Sequence, residues 1–218
     1  MLDEDLLNKP LYVTAFTHRS FLNETNEIIE SNERLEFLGD SVLSLIVSEL
    51  LFNQRTQDNE GDLTNLRSYL VKTTSLAIAS RELNLGEKLR LSKGEELSGG
   101  RENTQLLANT YEALLGAIFL DQGIEGARAF IIETLLPLFE KEIHDGPPKD
   151  SKSTLQEVLQ EKYKKSPLYK ILSTDGPDHA RTFTVGVFLQ NDLLGKGSGL
   201  SKQVAEEAAA LQALAKIS

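Results

Sequence analysis

Residues 32–42 read NERLEFLGDSV, an apolar-rich segment that nevertheless carries Glu33, Glu36 and Asp40. At roughly 100° per residue the three carboxylates fall within about 60° of one another. Leu35, Leu38, Val42 and Leu45 gather on the other side. The spacing therefore predicts a helix with one face in a core and one face of acids. Glu36 and Asp40 are i, i+4 neighbours, and like charges at that spacing repel by about 0.2–0.5 kcal/mol on an ordinary helix. Two readings answer the pattern. One is a solvated acidic face. The other is a set of acids under a divalent cation that removes the repulsion.

A cation site needs donors from more than one element. LLANTYEALLGAIFLD (106–121) offers Asn109 and Glu112 at i, i+3, set among apolar residues, with small Ala113, Gly116 and Ala117 that permit close helix approach. If this helix packs beside the first, Glu36, Asp40, Asn109 and Glu112 can converge, and all are oxygen donors of the kind Mg²⁺ prefers. Glu60, in NEGDLTNLR, opens a third helix, where it also serves simply as a favourable charge at a helix N-terminus. His18, in FTHRS, reads first as a structural hydrogen-bonding residue and second as a ligand or base.

The formal charge is −10 and the pI near 4.9, so the bulk composition does not point to a nucleic-acid binder. The chain has no cysteine, which removes disulfides, thiolate metal sites and a cysteine nucleophile. MLDEDLLNKP has no basic n-region followed by an apolar run, and no stretch reaches 18 uninterrupted apolar residues. The expectation is a soluble, cytoplasmic protein without a membrane partner.

Charge is unevenly divided about HDGPPKDS, residues 144–151, whose prolines and glycine mark a linker. Residues 1–149 hold 14 Lys and Arg against 25 Asp and Glu, a balance of −11, whereas residues 150–218 hold 9 against 8, a balance of +1. We expect one domain over 1–146, a linker over 147–151 and a second domain over 152–218. The first reads as all-α, with periodic segments near 10–19, 31–53, 61–82, 103–120 and 124–143. The second begins with STLQEVLQEKYKK (153–165), where Ser153 and Gln156 have capping-box spacing. Strand-like PLYKILS (167–173), TFTVGVFL (182–189) and LLGKGSG (193–199) follow, and then an Ala-rich helix over 201–217. That α-β-β-β-α order is a small α+β domain with its helices on one face of an antiparallel sheet.

These residues carry a family resemblance. NERLEFLGDSVL resembles the signature helix of the ribonuclease III family, and THRS (17–20), EGDLTNLR (60–67), LSKGEELSGGR (91–101) and ANTYEALLGAIFLD (108–121) extend the match. LQEVLQ, GPDHARTF and AEEAAALQAL resemble the double-stranded-RNA-binding domain that follows in bacterial members. The resemblance implies an all-α endonuclease domain followed by that α+β module. It implies an Mg²⁺-dependent endoribonuclease, with Mn²⁺ a possible substitute, acting as a homodimer on double-stranded RNA. Products would carry 5′-phosphate and 3′-hydroxyl ends with short 3′ overhangs, and the uses would be processing of rRNA precursors and other structured RNAs.

By motif position, Glu36, Asp40 and Glu112 match metal-binding acids, with Asp40 and Glu112 catalytic. Glu33 and Glu60 match auxiliary acids of the valley, and Phe37 matches the aromatic that inserts into the partner subunit. Asn109 departs from the family, which commonly has Asp there. It keeps a carbonyl oxygen and loses a charge. In the module, Gln156 and Gln160 match residues that face the RNA minor groove and His179 a loop that enters the next one. Ser201 and Lys202 start the last helix, whose free N–H groups suit a phosphate. Gln203 departs from a tendency towards a second basic residue, so binding should be weak and salt-sensitive. The alternative is a double-stranded-RNA-binding dimer that has lost cutting, with Asn109 as the lesion; a DNA-directed hydrolase is a third option, against which the minor-groove module argues.

Overall fold

Apolar residues at three- and four-residue spacing, punctuated by Asn and Ser caps, divide the first part of the chain into short and long helices. The computed structural model describes residues 6, 8–25, 29–148, 150–177 and 181–217, and the chain separates into two compact units, Met1–Pro147 and Pro148–Ser218. The first unit holds α1 (Pro10–Ala15), α2 (Glu33–Gln54), α3 (Glu60–Val71), α4 (Thr73–Glu82), α5 (Leu85–Lys88), α6 (Lys93–Leu97), α7 (Thr104–Thr134) and α8 (Glu140–Asp145). Its core lies where α2 meets α7. Leu43, Ile46 and Val47 of α2 and Tyr111, Leu114 and Leu115 of α7 are fully buried. Each such side chain removed from water contributes about 1.5–3 kcal/mol.

Local chemistry moves several boundaries away from the sequence expectation. The segment near 61–82 is two helices, because Lys72 is extended (φ −68°, ψ 154°) and the Ser75 hydroxyl donates to the Tyr69 carbonyl at 2.7 Å, closing the end of α3. The segment near 124–143 stops at Thr134. Pro137 follows in a 3₁₀ turn over Leu136–Phe139, since a proline lacks the N–H and crowds the preceding turn. The expected break at DQG is a kink inside α7, at Gly123 with φ 71°. The segment near 10–19 ends at Ala15, and Thr17 forms an isolated parallel bridge to Arg90. Leu45, placed with the core from its angle, is 62% exposed. It lies on the same strip of α2 as Phe37 and Phe52, which are 78% and 70% exposed.

The second unit is α9 (Ser151–Tyr163), β1 (Leu168–Asp175), β2 (Thr182–Leu189), β3 (Asp192–Gly199) and α10 (Lys202–Ile217), with an antiparallel sheet in the order β1-β2-β3. The cap of α9 is Asp150 rather than Ser153. The Asp150 carboxylate accepts from the Ser153 N–H at 2.8 Å and from its hydroxyl at 3.0 Å, so Ser153 sits at the third helical position. The glycines of LLGKGSG have a packing cause. A Cβ on Gly197 would lie 2.2 Å from the Ala209 amide nitrogen and one on Gly195 2.5 Å from the Ala209 carbonyl oxygen. The alternating alanines Ala205, Ala209 and Ala213 are fully buried, so α10 lies directly on β3.

Candidate active site

Two glycines set the geometry of the acidic cleft. A Cβ on Gly39 of α2 would stand 1.8 Å from the Glu112 carbonyl oxygen of α7, and one on Gly116 of α7 would stand 2.3 Å from the Leu35 carbonyl oxygen of α2. No side chain fits between the two backbones, so the helices touch there. Glu36 and Asp40 flank Gly39 on one helix, and Asn109 and Glu112 precede Gly116 on the other. All four line one cleft of about 570 Å³, together with Glu33 and His18.

Two of the cleft's acids, Glu112 and Glu36, hold their protons more tightly than free carboxyls do. Burial pushes the Glu112 carboxyl up to a pKa of about 8, and the Asp40 and Glu36 charges add to the rise. Burial likewise raises Glu36, with Glu33 and Asp40 adding to it, while a hydrogen bond from Asn109 acts against the rise. Glu33 is at the rim, held by Arg19 at 3.3 Å and by the Ser31 hydroxyl at 2.9 Å.

Asn109 bridges two partners. Its Oδ1 accepts from the Gln105 amide at 2.7 Å and its own amide faces Glu36. Among the described residues no group of three or more His, Cys, Asp or Glu forms a ready cation-binding cluster. The donor set is otherwise the one a hard divalent cation takes: oxygen only, from two rigid helices, with excess negative potential for a cation to relieve.

The remaining sequence candidates fall in several places. Phe37 lines the cleft and is exposed. Glu60 begins α3 and accepts from the Thr64 hydroxyl at 3.2 Å. It lines a different cavity of about 610 Å³, between α2 and α3, with Leu45, Phe52 and Arg67. The expectation that it shares the valley with Glu36, Asp40 and Glu112 is therefore not met within one chain, because Asn59 caps α3 and fixes Glu60 at its first position. Gln156 and Gln160 are exposed on one face of α9, and Ser201 and Lys202 are exposed at the start of α10. Ser201 Oγ accepts from the Val204 N–H at 3.2 Å, which leaves earlier N–H groups of that turn for another acceptor. His179 lies outside the described residues. Sequence reasoning missed Gly39 and Gln105; the signals were present, as a small residue facing Gly116 and as the i, i+4 spacing to Asn109.

Comparison with known proteins agrees with both units. Residues 8–138 match a family described as Ribonuclease-III-like, and residues 151–217 match the double-stranded RNA binding motif. The chain is 46% identical to Ribonuclease 3 of Pelotomaculum thermopropionicum, over 98% of this chain and 87% of the relative. It is also 46% identical to Ribonuclease 3 of Streptococcus equi subsp. zooepidemicus, over 97% and 92%. A solved nuclease domain of ribonuclease III from Campylobacter jejuni, described for flexibility in a region involved in its dimer formation, superposes with a TM-score of 0.57. It is 41% identical and covers 61% of this chain and 90% of that one.

Proposed function

The chain belongs to the ribonuclease III family and is an endoribonuclease acting on double-stranded RNA; from that premise we propose that the α2–α7 cleft cuts with Mg²⁺ held by Glu36, Asp40, Asn109 and Glu112. The observation that carries the reading is the convergence of Glu36, Asp40, Asn109 and Glu112 on one cleft, where burial, with the Asp40 and Glu36 charges adding to it, raises the half-buried Glu112 carboxyl. Magnesium, when bound, would position the attacking water and offset charge growing on the phosphate, a task Mn²⁺ can also fill.

The chain's own residues supply the rest. Glu112 would hold the cation as a carboxylate, having released the proton that burial favours. Gln105 holds Asn109 in the cleft, and Arg19 keeps Glu33 from adding its full charge. On this reading Asp40 and Glu112 are catalytic, and Glu33 and Glu60 are auxiliary, Glu60 serving a cleft other than that of its own chain. Products would be 5′-phosphate and 3′-hydroxyl ends with short 3′ overhangs, from rRNA precursors and other structured RNAs.

A homodimer is supported by the exposed row Phe37, Leu45 and Phe52 along α2, since monomers seldom leave such a strip uncovered. Gln156, Gln160, Ser201, Lys202 and His179 would hold the duplex, the first two at the minor groove and α10's start at a phosphate. The domain plan of 1–146, 147–151 and 152–218 belongs to the same proposal, as does a cytoplasmic location; among the described residues no helix is long and apolar enough to cross a membrane.

A labelled RNA hairpin tests the reading. It should be cut in millimolar Mg²⁺ and left whole in EDTA. A shifted, uncut band with Mg²⁺ present would favour a binder disabled by Asn109, and cutting in EDTA would remove the cation. Asn109→Asp returns a negative charge to the site, so its Mg²⁺ half-saturation should fall several-fold, to roughly a third or less. An unchanged value would show that the Asn109 carbonyl serves as well as a carboxylate.

A further inference from the structure

His18 lines the acidic cleft, yet the carboxylate chemistry gives it no task. Its backbone is fixed: the N–H donates to Arg90 O at 3.1 Å and the carbonyl accepts from Phe21 N at 3.0 Å. Its ring is fixed too. Nδ1 accepts from the Ser20 N–H at 3.3 Å and lies 2.8 Å from Ser20 Oγ. That oxygen accepts in turn from the Ser92 N–H at 3.0 Å. A ring nitrogen that accepts from a backbone amide carries no proton, so the Ser20 hydroxyl also donates to it and the neutral ring bears its proton on Nε2. Burial lowers the pKa of the ring; Glu95 and Glu33 pull the other way and Arg19 adds to burial.

Among the described residues no group accepts from Nε2–H, and Nε2 is not one of the sealed, partnerless atoms. It therefore reaches open space in the cleft. The tautomer decides what it can do there. The lone pair that would ligate a cation or take up a proton is engaged at Nδ1, so Nε2 can only donate. A neutral donor adds a hydrogen bond to a substrate without bringing a second positive charge to compete for the carboxylates.

We propose that His18 contacts the RNA, its Nε2–H donating to a backbone acceptor oxygen beside the cut, either a ribose 2′-hydroxyl or a phosphate oxygen. The inference rests on cleavage occurring at this cleft. His18→Asn separates donation from structure. Asn Oδ1 can accept from the Ser20 N–H as Nδ1 does, and Asn is a favoured cap, but the reach of Nε2–H is gone.

Single-turnover cleavage of a hairpin at saturating Mg²⁺ should be about tenfold slower in the variant, the worth of one hydrogen bond. The same assay is run on hairpins with one 2′-deoxy nucleotide or one methylphosphonate next to the cut. One of these changes should slow the wild type about tenfold and leave His18→Asn no slower than it already is; a deoxy response identifies the hydroxyl and a methylphosphonate response the phosphate. Equal rates for variant and wild type, or modifications that slow both enzymes alike, would overturn the proposal and leave His18 a cap only. If the variant melts lower, the ratio within each enzyme still decides. A wild type that fails to cut the unmodified hairpin counts against the cleft as the cutting site, and not against His18 separately.

Discussion

Glu112→Gln leaves the protein folded and able to bind duplex RNA, while hairpin cleavage in Mg²⁺ falls by about a thousandfold. The size follows from the several kcal/mol of charge stabilisation a bound cation supplies, at about 1.4 kcal/mol for each factor of ten. Gln keeps the shape and one oxygen but cannot provide the charge. The same variant changes stability in the opposite direction. In the folded protein the Glu112 carboxyl titrates near 8, against an ordinary 4.5. Between those values the folded state holds a proton that the unfolded state has lost, so stability is present below about 4.5 and drains away as pH rises towards 8. Without a cation, thermal melts of the wild type should show Tm falling over that window, and Glu112→Gln should show a flatter profile with a higher Tm at pH 8. A variant that cuts at the wild-type rate, or a wild type whose cation-free Tm rises between pH 5 and 8, would remove Glu112 from the account.

The second large effect comes from a residue with no functional group. Gly39→Ala puts a methyl 1.8 Å from the Glu112 carbonyl oxygen, and a backbone atom cannot rotate out of its way. The helices must move apart, at a cost of about 3 kcal/mol. Because Glu36 and Asp40 ride on one helix and Glu112 on the other, the separation also spreads the acids. We expect both a lower Tm and a loss of cleavage that added Mg²⁺ does not restore. Gly116→Ala, 2.3 Å from the Leu35 carbonyl oxygen, should behave the same way. If Gly39→Ala retained full stability and activity, the α2–α7 crossing would not be what assembles the site.

Much of this is legible in the sequence where a pattern has one physical solution. The acids of NERLEFLGDSV and the Asn109/Glu112 pair lie on helices whose opposite faces are apolar, and small residues at Ala113, Gly116 and Ala117 announce a close crossing. The strands of the second unit show as β-branched and aromatic runs, and two of their glycines are explained by α10 lying on β3. What sequence spacing misses depends on tertiary detail. Leu45 looks like core by angle, but it is 62% exposed. The break at Lys72 comes from a serine hydroxyl six residues from the carbonyl it caps. Glu60 belongs with the other acids by motif, whereas its helix begins beside a separate cavity. The Ser20 N–H that sets the His18 tautomer is two residues away, but the Ser20 hydroxyl beside it is held by Ser92, 72 residues further on, and no local pattern contains that.

The most direct measurement is proton release on Mg²⁺ binding, followed at pH 7 with an indicator dye in the absence of RNA. The cleft holds a proton on Glu112 that a cation must displace, so titration of the wild type should release about one proton per chain at saturation, and Glu112→Gln should release none. Saturable Mg²⁺ binding with no proton released, or the same release from Glu112→Gln, would contradict a cation site built from these acids.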